Sequence, residues 1–232
     1  MKKLRLLAVA FDTHLHPWEL PRFRGAVAAK VGLEHDWFHN HDNEGGGFHH
    51  RYPKIQYKLH TRDGQMRPML LCIDEGVEEA HHFFSHPNWD LVIGQQAHVM
   101  RIASLDVRQH TLQVWDDGDF RYHIHKWLAL NAENFAEWQR TESLAGRVAM
   151  LERLLAAHIL SFARGVGCEF ERHLEVRITR LQRDDEWVSY KDVKILAFTL
   201  EFGTNASLPD WVGLGKGASM GFGVLRQQRK GR

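Results

Sequence analysis

Hydrophobic spacing along this chain switches between a period of two and a period near 3.6, and it does so in almost the same order in each half. Residues 3–11 read as a strand, and a helix is expected at about 20–31. A loop follows from Gly32 to Phe48, then strands at 51–59 and 67–73, a helix over 75–86 and a strand at 98–109. The second half begins alike. Tyr122 to Leu128 alternates as a strand, and Asn131 is suited to cap a helix over 132–140, with Glu133 and Glu137 in its early turns. Leu144, Val148, Leu151, Leu155, Ile159 and Phe162 mark a helix over 143–165, ended by Gly165 and Gly167. Strands are expected at 172–183, at 192–202, where Leu196, Phe198, Leu200 and Phe202 share one face, and at 222–227.

The first half thus has the order β-α-β-β-α-β, the ferredoxin-like arrangement. The second has β-α-β-β-loop-β, with a glycine-rich stretch after Leu208 in place of the last helix. The expected fold is α+β: two tandem ferredoxin-like (βαββαβ) units, 1–115 and 116–232, with a C-terminal glycine-rich loop. A length of 232 residues with 44% hydrophobic and 25% charged residues suits globular units of this size. No apolar run approaches the roughly 18–20 residues that cross a bilayer, so no membrane partner is expected. The opening Lys2-Lys3-Leu4-Arg5-Leu6-Leu7 has the basic start of a signal peptide, but Arg5 interrupts it and Asp12-Thr13-His14 offers no small-residue cleavage site. Cys72 and Cys168 stand too far apart for a Cys-x-x-Cys clamp, and a reducing, cytoplasmic location is expected. Thirty Lys and Arg against 29 Asp and Glu leave a net charge of +1, so any nucleic-acid site must be local. Arg226, Arg229, Lys230 and Arg232 crowd the tail as one such patch or as a solvated terminus.

Seventeen histidines form a large reservoir of imidazole. Isolated ones such as His60, His98, His110, His158 and His173 read as surface or satisfied core residues. His81-His82-x-x-x-His86 on a helix and His123-x-His125 on a strand could each be half of a zinc site, yet no acidic or sulfur ligand stands near them in a recognisable pattern. No metal ligand set and no cofactor is therefore expected. The third cluster, Glu34-His35-Asp36-Trp37-Phe38-His39-Asn40-His41 running on to Gly45-Gly46-Gly47-Phe48-His49-His50, lies on a loop after the first helix. Two imidazoles two residues apart could present a base and an acid to one bond at neutral pH. The letters His-Asn-His are no metal-dependent nuclease motif, which disperses its residues over a ββα unit.

Five glycines fall between Gly213 and Gly223, in Gly213-Leu214-Gly215-Lys216-Gly217-Ala218-Ser219-Met220-Gly221-Phe222-Gly223. The stretch lacks the Walker spacing and leads into a strand, so it is no nucleotide P-loop. Its glycines either let backbone amides approach a phosphate chain or let two β units pack. The pattern Gly-x-Gly-Lys-Gly-x-Ser-x-Gly-Phe-Gly resembles the glycine-rich signature of CRISPR-associated repeat-cleaving endoribonucleases of the Cas-six type. Arg51-Tyr52-Pro53-Lys54-Ile55-Gln56-Tyr57-Lys58, after Phe38-His39-Asn40-His41, is similar to the amino-terminal signature of one subgroup, and Asn205-x-x-Leu208-Pro209-Asp210 also fits.

That resemblance implies an enzyme that cuts precursor CRISPR RNA within its repeats without metal, leaving a 2′,3′-cyclic phosphate and a 5′-hydroxyl. It implies His39 and His41 as the catalytic pair. Lys54, Tyr57 and Lys58 are the nearest candidates for phosphate contacts, and RNA contacts are also expected from Gly213, Gly215, Lys216, Gly217, Ser219, Gly221 and Gly223 of the glycine-rich signature. In a strand, residues 54, 56 and 58 share a face, so both lysines are expected to point at one backbone, or else to be exposed edge-strand lysines. The partners implied are CRISPR repeat RNA, a second copy of the chain, and CRISPR effector subunits. The rival readings are a catalytically silent RNA-binding subunit of an effector complex and a zinc-dependent hydrolase.

Overall fold

The computed structural model describes residues 1–32, 34–39, 51–182 and 186–228. His41, His49 and His50, and the tail residues Arg229, Lys230 and Arg232, lie outside the described residues. Contacts gather Leu4–His110 with Ser219–Gly221 into an N-terminal unit, and Met1–Lys3, Thr111–Ala218 and the chain from Phe222 onward into a C-terminal unit.

The N-terminal unit contains β1 (Lys2–Phe11), α1 (Leu20–Val31), β2 (Ile55–Arg62), β3 (Gln65–Ile73), the short helices α2 (Glu75–Glu79) and α3 (His81–Phe84), a small hairpin of β4 (Leu91–Ile93) and β5 (Gln96–His98), and β6 (Ile102–Val114). Its sheet runs β6-β1-β3-β2. β3 pairs antiparallel with β1, Leu6 opposite Ile73, and with β2, Ile55 opposite Cys72. On α1, Phe23, Val27 and Val31 recur every four residues and are buried with Val9, Phe11 and Leu70. The Phe11 ring meets Phe23 and Phe83 edge-on at 6.2 and 6.1 Å.

The C-terminal unit contains β7 (Phe120–Trp127), α4 (Ala132–Arg140), α5 (Leu144–Gly165), β8 (Val176–Leu181), β9 (Glu186–Tyr190), β10 (Val193–Thr204), β11 (Ala206–Ser207) and β12 (Val224–Gln227). Its main sheet runs β12-β7-β10-β8, and β9 pairs with the start of β10. Counting only the four strands of each main sheet, both place the fourth beside the first, then the third and the second, so the chain is a tandem of ferredoxin-like units. Both helices begin where side-chain acceptors meet orphan amides: Asn134 N–H donates to Asn131 Oδ1 at 2.7 Å, and Gly146 N–H to Ser143 Oγ at 3.1 Å. Among the described residues no helix is long and apolar enough to cross a membrane.

Element edges differ from the sequence expectation for local reasons. β2 starts at Ile55, not at 51, because Pro53 has no N–H and the Gln56 side chain folds back onto Tyr52 Oη at 2.8 Å and Pro53 O at 2.9 Å. The helix expected over 75–86 is two short helices that tighten around Ala80, whose carbonyl accepts from both Phe83 and Phe84. Of the strand expected at 98–109, His98 instead joins a hairpin of 96–98 with 91–93 across Gly94, and the last strand runs Ile102–Val114. β8 starts at Val176 because Asn205 holds the residues before it: Glu175 N–H donates to its Oδ1 at 2.9 Å, and its Nδ2 donates to His173 O at 3.0 Å.

The glycine-rich stretch packs against protein. A Cβ on Gly215 would stand 2.8 Å from Trp127 Nε1 and 3.0 Å from His158 Nδ1, and one on Gly223 would stand 2.0 Å from Leu214 O. Both glycines have positive φ, +76° and +62°. Beneath Gly215, Trp127 Nε1–H donates to His158 Nδ1 at 3.0 Å, which requires the neutral imidazole.

Burial holds the His158 pKa down to about 4. The unfolded chain takes up that proton near pH 6.5 and the folded chain only near 4, so the stability carried by neutral His158 is complete above 6.5 and lost as pH falls from 6.5 to 4. The unfolding free energy from urea titrations is expected to drop across that window by an amount on the order of 3 kcal/mol, with a flatter pH slope in His158→Gln. Gly25, by contrast, sits in α1, and a methyl group added there would meet nothing within 4 Å. Gly25→Ala is expected to raise stability by roughly 0.5–1 kcal/mol, read by thermal melting.

Candidate active site

The candidate site lies in the N-terminal unit, where the chain leaves α1. Gly32 ends the helix with its N–H bonded to Ala28 O at 3.0 Å and φ of +110°. A 3-10 turn over Asp36–Phe38 then delivers His39. Phe38 is the anchor of this turn: its ring is buried, and its carbonyl accepts from the Tyr57 hydroxyl at 2.9 Å. The next carbonyl, that of His39, accepts from the Arg24 guanidinium. His39 is only 7% exposed, and its Nε2 lies 4.0 Å from Asp36 Oδ1, three residues back.

Tyr57 is held on all sides. Its backbone N–H donates to Ser219 O at 2.8 Å, and it forms a parallel bridge with Met220. Its ring meets Phe23 edge-on at 5.8 Å, and burial pushes its phenol well above the ordinary tyrosine range. β2 is the edge of its sheet, so the Ser219–Gly221 segment closes an edge that would otherwise present unpaired amides. Arg24 Nη1 also reaches Met220 Sδ at 3.4 Å. Gly221 has φ of +81°, and a Cβ there would lie 2.8 Å from Leu20 Cδ2.

A group of cations flanks the turn. The Arg51 guanidinium lies 4.1 Å over the Trp37 ring, and Lys54 Nζ lies 5.8 Å from it. Lys54 also pairs with Glu75. Arg51 Nη2 is buried and has no hydrogen-bond partner among the described residues.

The structure distributes the residues chosen from sequence unevenly. His39, Tyr57 and Lys54 gather around the Trp37–Phe38 turn, whereas Lys58 does not present itself to a phosphate chain. Lys58 is fully buried, and burial lowers its pKa to about 7. The shared face of residues 56 and 58 is thus neither an open RNA platform nor an exposed lysine edge: Gln56 and Tyr57 are buried as well, in the buried first half of β2, Ile55–Lys58. Gly213, Gly215, Gly217 and Gly223 sit in the C-terminal unit, where Gly217 rests against Phe222 and Tyr190. Lys216 is exposed, with Nζ 5.7 Å from the Tyr190 ring. Ser219 and Gly221 belong to the N-terminal unit, and Ser219 acts there through its backbone carbonyl. Sequence reasoning does not single out Arg24, Asp36 or Arg51. Asp36 carries a signal in its place within the Glu34–His41 cluster, and Arg51 in its place at the head of the Arg51–Lys58 run; Arg24 carries none.

Tyr57→Phe leaves the buried Phe38 carbonyl without its donor. It is expected to reduce stability by roughly 1–3 kcal/mol in urea titration while changing RNA affinity less than about threefold, because the hydroxyl faces protein. A large loss of affinity at unchanged stability would return Tyr57 to the RNA contacts.

Known proteins resemble this chain in sequence pattern and in fold. The Cas6b N-terminal domain model matches residues 2–111, and the Cas6b C-terminal domain model matches residues 114–228. An uncharacterized protein of Methanocaldococcus jannaschii is 33% identical over 102 residues, which are 44% of this chain and 67% of that protein. A solved structure described as Cas6b is 24% identical with a TM-score of 0.85, covering 97% of this chain and 99% of its own. A second, described as the CRISPR RNA processing endoribonuclease Cas6b, is 22% identical with a TM-score of 0.73, covering 98% of this chain and all (100%) of its own. At these identities the solved structures show a common fold. Matched by both domain models over nearly all of its length, this chain belongs to the Cas6b family.

Proposed function

We propose that this protein cleaves precursor CRISPR RNA within its repeats by attack of the RNA's own 2′-hydroxyl, without metal. Membership of the Cas6b family supports RNA cleavage, and a similar solved structure is described as a CRISPR RNA processing endoribonuclease. The observation that carries the reading is His39, fixed at the end of the turn after α1 by bonds to its own and its neighbour's carbonyl.

The chemistry needs two proton carriers and a cationic frame. One imidazole takes the 2′ proton as the 2′-oxygen bonds to phosphorus. The other gives a proton to the 5′-oxygen as the P–O5′ bond breaks. The products are a 2′,3′-cyclic phosphate and a 5′-hydroxyl. His39 is one carrier, and His41, two residues on and outside the described residues, is assigned as the other from the sequence. Holding the nucleophile in line supplies much of the acceleration. Arg51, with a buried donor unused among the described residues, is suited to charge on the phosphorane, and Lys54 stands beside it. Arg24, Tyr57 and the Ser219–Gly221 segment position the turn rather than touch the RNA. The same reading pairs two copies of the chain and lets the product pass to effector subunits.

The test is single-turnover cleavage of a labelled repeat RNA in EDTA. Cleavage is expected to persist, and His39→Ala and His41→Ala are each expected to slow it by roughly 10²–10⁴-fold. RNA affinity should change by less than about tenfold, since a neutral imidazole supplies little phosphate electrostatics. A 2′-deoxy nucleotide at the cut should abolish cleavage and leave binding. RNA bound but uncut by the unaltered protein would indicate a silent binding subunit, and activity restored only by added metal would overturn the mechanism.

A further inference from the structure

Histidines absent from the cleavage reading converge on one point of the N-terminal unit. Glu79 and His82 are three residues apart across the α2–α3 junction and so share a helix face, with Glu79 Oε2 3.7 Å from His82 Nε2. His35, just before the Asp36–Phe38 turn, lays its ring 3.8 Å from the His82 ring, centroid to centroid. One ligand atom from each of His35, Glu79 and His82 lies within 4.8 Å of the others, and all three residues are half-buried. Two further groups face the cluster: Glu34 Oε1 lies 3.9 Å from His35 Nε2, and the His81 ring lies 3.9 Å from that of His82.

We propose that His35, Glu79 and His82 form a binding site for a divalent transition metal of the zinc class. Two imidazoles and one carboxylate are a recognised three-ligand zinc set, with water in the fourth position. Ligand bonds of about 2.0–2.1 Å at tetrahedral angles put donor atoms about 3.4 Å apart. The Glu79–His82 pair already stands near that spacing, and side-chain rotation of half-buried residues brings in the third. Bound metal would tie the residue before the Asp36–Phe38 turn to the α2–α3 helices. It would set the position of the segment that leads to His39 and take no part in proton transfer. This site does not depend on the proposed cleavage reaction: metal binding and EDTA-resistant cleavage are read separately.

The experiment titrates the full-length, metal-stripped protein with Co²⁺, reading visible d–d bands, and then displaces it with Zn²⁺. One equivalent of Co²⁺ with the intense bands of a four-coordinate site is expected. His35→Ala and His82→Ala should each weaken it by roughly tenfold or more, as should Glu79→Gln, which keeps the side chain's shape if either alanine variant fails to fold. A His123→Ala/His125→Ala double variant should bind as the unaltered protein does. Zn²⁺ at about a hundredfold over its Kd should raise the melting temperature by roughly 5 °C in the unaltered protein and not in Glu79→Gln. No Co²⁺ binding, or binding undiminished in the folded His35, Glu79 and His82 variants, would overturn the site.

Discussion

Tyr57 joins three constraints that the N-terminal unit cannot satisfy separately. Its amide lies on the open edge of β2, its ring in the core beside Phe23, and its hydroxyl under the turn that carries His39. The amide finds Ser219 O, so the sheet edge is closed by a segment more than 150 residues away in sequence. The first half of β2 is also buried on both faces, so a strand that reads as half-exposed becomes interior. The hydroxyl bonds to the Phe38 carbonyl, which fixes the turn from below, while Arg24 holds the next carbonyl. A buried polar group without a partner is costly, so each bond makes the alternatives to the observed turn unfavourable.

The glycine-rich stretch owes its composition to the same demand for closeness. Leu214, Ala218 and Val212 are buried, and side chains at Gly215, Gly217 and Gly223 would collide with Trp127, Phe222 and Leu214. The residues before it act as brackets. Asn205 ties Glu175 and His173, Tyr122 both donates to and accepts from Leu208, and Gln227 N–H donates to Asp210 Oδ1 at 2.6 Å. The run from Asn205 to Asp210 is therefore a frame for a tightly packed loop. The contacts at Gly215, Gly217 and Gly223 are close packing within the C-terminal unit.

Much of the fold was legible because local patterns and their tertiary use agree. The helix over 132–140 has its Asn131 cap, the long helix shows its apolar stripe, and the alternation along β10 buries Leu196, Phe198, Leu200 and Phe202 as its period implies. An isolated histidine such as His158 reads as a surface or satisfied core residue, and its bond to Trp127 satisfies it. The site was legible only in part. His39 stands out because imidazoles cluster around it in sequence, but Arg24 is one arginine on an amphipathic helix, and no pattern marks its contact with a loop carbonyl. Lys58 misleads because period two says which residues share a face and not whether that face is covered.

The sequence by itself determined the main strands and helices of the two sheets, the two-unit α+β class and the need for glycine between Gly213 and Gly223. These follow from interactions within a few residues, where spacing and capping decide the outcome. Only the tertiary structure decided that Ser219–Gly221 closes the edge of β2, that Lys58 is interior, and that His35 meets Glu79 and His82. Each depends on which distant segment covers a given face or edge, and burial and pairing across such separations leave no periodic mark in the chain.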